Sequence, residues 1–318
     1  MLTINRILVP TDLSDHAQRA LQHAAVLADW HDAELYLLNV AGRHMYEYAT
    51  MRDHFPMDRS ALDAALHPNG EGDPPKEGPP IPAADDLVIH QEQVEHASAS
   101  DIIIERTQEK DIDLVVMGTR GRRGTDRLLM GSVAEKVVRN TPCPTLTVRR
   151  QGRDVPGQAI RRILVPIDFS EPSIQALRHA RELAMTYGAK LDLLHVVEDV
   201  TIPAAYGTEP VEMHVPEAIE GSEKALAELV REEIGHEHVT IHAEPGHTPA
   251  TILDFAEDHD MDLIVIATHG RTGLERLLLG SVAEGVVRRA GCPVFTVKSF
   301  GLSLLPDDQP AASDTHVH

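Results

Sequence analysis

The stretch Asp113–Val148, DLVVMGTRGRRGTDRLLMGSVAEKVVRNTPCPTLTV, recurs as DLIVIATHGRTGLERLLLGSVAEGVVRRAGCPVFTV at Asp262–Val297. A repeat this long makes the chain a duplication, two copies of one unit of about 150 residues, the ordinary size of a domain. In each copy a short apolar run leads into a glycine-rich turn and an arginine-bearing loop. Gly-Ser then opens a helix, and Cys-Pro precedes a second apolar run. That order reads strand, phosphate-sized loop, helix, strand.

The rest of each copy agrees with this reading. Arg6–Pro10 is a short apolar strand ending in Thr11-Asp12-Leu13-Ser14, and Ser14 is placed to cap a helix whose apolar face is Ala17, Ala20, Leu21, Ala24, Ala25, Leu27 and Ala28. Ala33–Val40 is a second strand. The second copy repeats these at a constant offset: ILVPIDFS at Ile163–Ser170, a helix from about Pro172 to Tyr187, and AKLDLLHV at Ala189–Val196. Third strands are expected near Leu87–Val94 and His238–Ala243, and third helices near Ser98–Glu109 and Thr248–Asp258. Strands alternating with helices of this length predict an α/β fold, a parallel sheet covered on both faces.

The copies differ most in their middles. The first carries an acidic, irregular insert over Ala41–Asp86, with HPNGEGDPPKEGPPIP at His67–Pro82 and a short helix around Arg59–Leu66. The second has an amphipathic helix from about Pro216 to Ile234. The expected domains are residues 1–150 and 160–299, joined through a polar linker at Arg149–Ala159 and followed by a disordered tail over 300–318.

Composition excludes several classes of function. A net charge of −21 repels phosphate backbones and anionic lipid, so neither nucleic acid nor a membrane surface is expected as a partner; the same charge also serves solubility. Two cysteines form no disulfide framework, and Cys143 and Cys292, each before a proline at a strand start, read as buried thiols. No apolar run approaches the roughly 18 residues of a membrane span. The sequence enters a strand without a charged leader, and the expected location is the cytoplasm. The 19 histidines form no HExxH or Cys-His cluster, and His236, His238, His242, His316 and His318 read as surface residues rather than metal ligands.

The chemistry is concentrated in the loop. Gly118, two residues, Gly121, nine residues, then Gly131-Ser132 is the spacing in the first copy. Phosphate oxygens approach backbone N–H groups closely, which a Cβ obstructs, while a helix N-terminus supplies positive potential. The amides of Gly131, Ser132 and Val133 and the Ser132 hydroxyl are the natural cradle. Asp12 and Asp168 stand at the C-terminal end of the first strand of each copy, where open parallel sheets take their ligands. A carboxylate there suits a nucleotide hydroxyl or amino group, or a metal bridging phosphates, or else the cap of the next helix. Loop cations Arg120, Arg122, Arg123, His269 and Arg271 read chiefly as solvated charges.

With G-x2-G-x9-G-[S/T], a first strand ending in Asp and a second ending in Val, the chain resembles a tandem universal stress protein over nearly its whole length. The resemblance implies two adenine-nucleotide α-hydrolase-like, Rossmann-like domains, each a five-stranded parallel sheet flanked by helices. It further implies that Asp12 and the backbone around Val40 hold the adenine and ribose side of ATP. Gly118, Gly121, Gly131, Ser132 and Val133 would hold its phosphates, with Mg2+ or Mn2+ bridging them. The second-copy counterparts are Asp168, Val196, Ala267, Gly270, Gly280, Ser281 and Val282. Ala267 departs from the pattern, because the signature has its first glycine there. A methyl aimed at the ligand blocks the second site, whereas one pointing away is harmless, and the expectation is a first site that binds ATP and a second that binds more weakly or not at all.

There is no GxxxxGK[ST] loop, nucleophile elbow, HIGH or SGGxDS motif. A binding and regulatory protein with an unidentified protein partner is therefore expected, not an enzyme beyond slow ATP hydrolysis. The alternative is a nucleotide-free interaction module of the same fold. Single-domain relatives pair through the last strand, so the resemblance also implies an internal pseudo-dimer through Thr145–Val148 and Val294–Val297, with a homodimer of chains as a further expectation.

Overall fold

The computed structural model describes residues 2–42, 54–67, 80–119, 130–149, 160–198, 215–235, 238–270, 279–299 and 301–306. The first half runs β1 (Arg6–Thr11), α1 (Asp15–His31), β2 (Glu34–Ala41), α2 (Arg59–Leu66), a 3-10 turn (Ala84–Asp86), β3 (Ile89–Glu95), α3 (Ala99–Glu109), β4 (Leu114–Gly118), α4 (Ser132–Asn140) and β5 (Thr145–Val148). The second half runs β6 (Arg162–Pro166), α5 (Glu171–Tyr187), β7 (Lys190–Val197), α6 (Val215–Glu233), β8 (Val239–Pro245), α7 (Thr248–Asp258), β9 (Leu263–Ala267), α8 (Ser281–Arg289) and β10 (Val294–Val297). Among the described residues ten strands form one sheet, in the order β3-β2-β1-β4-β5-β10-β9-β6-β7-β8. Each half is parallel throughout, as the alternating pattern predicts, and the halves meet where β5 and β10 run antiparallel.

Central strands are buried on both faces. Ile7, Leu8 and Val9 and the run Leu114–Val116 are almost wholly inaccessible, which is why they read as continuous apolar runs without alternation. Side chains on one face pack under α1, α2, α5 and α6. Those on the other pack under α3, α4, α7 and α8. Ser14 and Ser170 cap α1 and α5 by accepting from the N–H groups of Ala17 and Ser173, as their positions predict. Cys143 and Cys292 form no disulfide and are buried, and burial pushes the Cys143 thiol up to about 12, so it stays protonated and inert.

The seam between the halves is self-complementary. Leu146 faces its own equivalent Phe295, with Thr145 opposite Thr296 and Thr147 opposite Val294. The Thr147 and Thr296 hydroxyls each donate across it to a carbonyl, of Val294 and Thr145 respectively. Above the sheet, Arg288 bonds Glu135 of the other half at 2.9 Å. Lys298 reaches the carbonyl of Val138, and burial lowers its ammonium to about 8.

Two expectations are corrected and one is met. The insert carries its expected short helix: Asp58 caps α2, Leu62 and Leu66 are buried, and the amides of Gln18 and Gln22 on α1 donate to the carbonyls of Ala65 and Leu66. Its residues 43–53 and 68–79 lie outside the described residues. The tail is not disordered from residue 300. Residues 301–306 fold back as a strap in which Leu302 N–H donates to Pro142 O, Thr3 N–H donates to Leu304 O, and Leu304 N–H donates to His179 Nε2. Leu304 is 1% exposed; residues 307–318 lie outside the described residues. Finally, His242 is no surface residue. Its Nε2 lies 3.0 Å from Asp192 Oδ1, its ring packs edge-on against Phe255, and Asp192, 2% exposed, also takes Arg162 through both carboxylate oxygens.

Candidate functional site

Strand order places a crevice in each half. The chain leaves β1 on one side and β4 on the other, and the same holds for β6 and β9, which makes these pairs the topological switch points where open parallel sheets bind ligands. The register makes the opening visible. β1 and β4 are in register only at Ile7↔Leu114 and Leu8↔Val115. Beyond that point each stays with its outer neighbour, β1 with β2 up to Thr11↔Asn39 and β4 with β5 up to Gly118↔Val148. The second half repeats the split after Leu164↔Ile264. β2 then outruns β1: Val40 and Ala41 pair with Val94 and Glu95 on β3, past the end of the β1 register. Val196 is placed likewise, opposite Glu244.

On one wall of each crevice stands the strand-end carboxylate. Asp12 Oδ1 accepts the Ser14 N–H at 3.1 Å, and Asp168 Oδ1 accepts the Ser170 N–H at 3.0 Å. One oxygen therefore braces the strand-to-helix turn, and the helix cap itself is the serine. The residue after each aspartate is left-handed, Leu13 at φ 59° and Phe169 at φ 60°, a conformation that costs a non-glycine residue about 1–2 kcal/mol. Nothing in the letters Leu and Phe announces this. The same conformation at the same place in both halves shows that the turn after each aspartate is built alike.

The other wall is the start of α4 or α8. Both helices begin at a glycine N-cap without a side-chain cap, unlike α1 and α5, so the first-turn amides of Ser132–Val133 and Ser281–Val282 point outward with the positive end of the helix dipole. Ser132 and Val133 are exposed. The cradle loses one expected member, however: Gly131 N–H donates to Thr119 O and Gly280 N–H to Thr268 O, each at 2.8 Å. Beside this wall the Thr119 hydroxyl is buried with no hydrogen-bond partner.

The glycines answer to contacts within the protein. A Cβ on Gly118 would stand 2.8 Å from His16 Cβ and 3.0 Å from its carbonyl, so the glycine lets the first turn of α1 lie on β4. Its missing side chain points to α1, not to the ligand side. Ala267 carries its methyl the same way: it is 8% exposed and packed in the core with Ile167, Ala176 and Val297, and its φ is not among the positive values. The methyl thus gives no reason for a blocked second site. At Gly270 a Cβ would overlap Asp168 Oδ2, so a glycine lets the backbone after β9 lie this close to the carboxylate. Gly121, Arg120, Arg122, Arg123 and Arg271 lie outside the described residues. His269 is half-buried, with Nδ1 3.1 Å from the Thr268 hydroxyl. At the outer strands Glu95 lies beside Ala41 and Pro245 beside Val197, so these two are equivalent in the two halves, and the first half has one more residue between β3 and α3 than the second has between β8 and α7.

Among the described residues no group of three or more His, Cys, Asp or Glu side chains is placed to hold a metal ion, and no helix is long and apolar enough to cross a membrane.

Two parallel α/β units in one chain, each with a split at its switch point, a carboxylate on one wall and an uncapped helix on the other, define a tandem, Rossmann-like protein with two equivalent crevices. The chain belongs to the universal stress protein family, whose model matches residues 3–149 and 159–298. It is 38% identical over 152 residues to a universal stress protein of Methanocaldococcus jannaschii, covering 43% of this chain and 82% of that one. A universal stress protein of Mycolicibacterium smegmatis is 27% identical over 304 residues, 92% of this chain and 96% of its own. The crystal structure of a universal stress protein from Archaeoglobus fulgidus superposes with a TM-score of 0.63 at 21% identity, covering 92% of this chain and 98% of that one; it bears on the fold alone.

Proposed function

We propose that each crevice holds one adenine nucleotide, so that the chain is a two-site ATP-binding regulatory protein of the stress response. The observation that carries this reading is the repeated pairing of a strand-end carboxylate with an uncapped helix N-terminus across a split in the sheet. An anion is favoured at the helix, where free amides and the dipole act together. A neutral hydroxyl or amino group is favoured at the aspartate, so a ligand with phosphates at one end and a nucleoside at the other fits both walls. Mg2+ or Mn2+ would ride on the phosphates, with at most one carboxylate from the protein and water completing its shell. Occupancy would change the surface offered to a partner protein.

Binding without turnover is the core of this proposal, since the motif supplies a cradle and no general base. Two measurements test it. Thermal unfolding with and without Mg-ATP must give a higher midpoint with ligand by mass action, and no shift at millimolar ATP rejects nucleotide binding in favour of an interaction module. Phosphate release well above background and abolished by Asp12→Ala would make the protein an ATPase instead.

A further inference from the structure

The two halves hold their strand-end aspartates with the same bond made by different residues. Asn39, the sixth residue of β2, is fully buried and donates Nδ2–H to the carbonyl of Thr11 at 2.8 Å. His195 is its counterpart on β7, and its Nδ1 lies 2.7 Å from the carbonyl of Ile167; a carbonyl only accepts, so Nδ1 donates. Each acceptor is the residue immediately before the aspartate, Asp12 or Asp168. The support behind each donor is also different. In the first half Gln93 on β3 donates to Asn39 Oδ1 at 3.0 Å and fixes the amide's orientation. In the second, register puts Ala243 at the place of Gln93, and the His195 ring packs on Phe169 with centroids 4.7 Å apart.

We infer that Asn39 and His195 are positioning residues for the candidate nucleotide sites, clamping the strand end so that the adjoining aspartate faces the crevice. The inference rests on the proposed nucleotide reading for its consequence, though the clamp itself stands on geometry. The left-handed residue that follows each aspartate is unfavourable by itself and needs its flanks held. The carbonyl bond fixes the chain on the upstream side and the Asp–Ser bond fixes it downstream. A bond that persists while asparagine is exchanged for histidine, and an amide prop for an aromatic one, is required by the turn and not by either side chain's packing.

The test uses the full chain carrying Asp168→Ala, so that only the first site reports, with a non-hydrolysable ATP analogue and Mg2+ as the probe. Asn39→Ala is expected to weaken binding at least tenfold and to speed amide exchange at Leu13 and Ser14 by a similar factor. Asn39→His, the residue used in the other half, is expected to restore both to within threefold. Unchanged exchange and affinity in Asn39→Ala, or a loss of either that Asn39→His does not restore, would overturn the inference. Should Asn39→Ala not fold, His195→Ala with Asp12→Ala in place of Asp168→Ala reads the half-exposed counterpart by the same criteria. Failure of the unmutated chain to bind the analogue, with exchange responding as stated, rejects the nucleotide reading and leaves the clamp standing.

Discussion

The first crevice has Gly118, Asn39 and Leu13 where the second has Ala267, His195 and Phe169, yet both keep the split register, the braced aspartate and the uncapped helix. From sequence, the Gly118 to Ala267 exchange looks decisive, because it alters the signature itself. In the structure it is the least consequential of the three. The side chain at that position belongs to the interface between strand and helix, where a Cβ at Gly118 would meet His16 and the Ala267 methyl is buried in the core. A glycine in a phosphate-loop motif is thus not evidence of ligand contact until the direction of its missing Cβ is known.

Four expected outcomes break or sharpen this equivalence, in descending size. Asp12→Ala and Asp168→Ala are each expected to remove one nucleotide per chain, a loss of roughly 2–3 kcal/mol for a hydrogen bond to a charged group, measured by calorimetric titration; both changes acting on one site would end the equivalence. Next, Gly118→Ala pushes a methyl into His16 and is expected to destabilise the chain by about 1–3 kcal/mol as an overpacked core does, read from denaturant midpoints. The reverse change, Ala267→Gly, is expected to cost only about 0.5–1 kcal/mol, the usual penalty for glycine within a strand, and to leave nucleotide affinity unaltered. A gain in affinity on Ala267→Gly would return the methyl to the ligand side.

The fourth outcome concerns the strap, which is held through the second half's α5. His179 is buried and neutral, accepting from Leu304 N–H through Nε2 and donating from Nδ1 to Gln175 O. Burial holds its pKa below the ordinary 6.5, opposed by the Gln175 carbonyl and the nearby Glu182 carboxylate. The unfolded chain therefore takes up a proton before the folded one does, and stability falls as pH drops below about 6.5, until the folded histidine is itself protonated. His179→Gln keeps an acceptor for Leu304 without the titration. Its unfolding midpoint between pH 7.5 and pH 5 is expected to fall less steeply than that of the unaltered chain, and equal slopes would remove His179 from the pH response.

Much of this was legible in the letters. The duplication, strand–helix alternation, both serine caps, the short helix at Arg59–Leu66 and the buried cysteines follow from local pattern, where periodicity and capping chemistry act within a few residues. The site residues were legible as a set but not in their roles. That Gly131 spends its N–H on Thr119, that Gly118 yields to His16, and that Asn39 holds Thr11 depend on contacts between segments distant in sequence. The strap escaped notice because Leu302, Leu304 and Leu305 sit in a polar tail, where three apolar residues carry no period. His242 looked like a surface histidine because its partner Asp192 lies on the neighbouring strand.

Titration of the freshly purified, nucleotide-stripped chain with a non-hydrolysable ATP analogue and Mg2+ tests the central claim most directly. Two sites per chain, one lost with Asp12→Ala and the other with Asp168→Ala, is the predicted result. A single site that survives Asp168→Ala, or no binding at all, would contradict the equivalence of the two crevices.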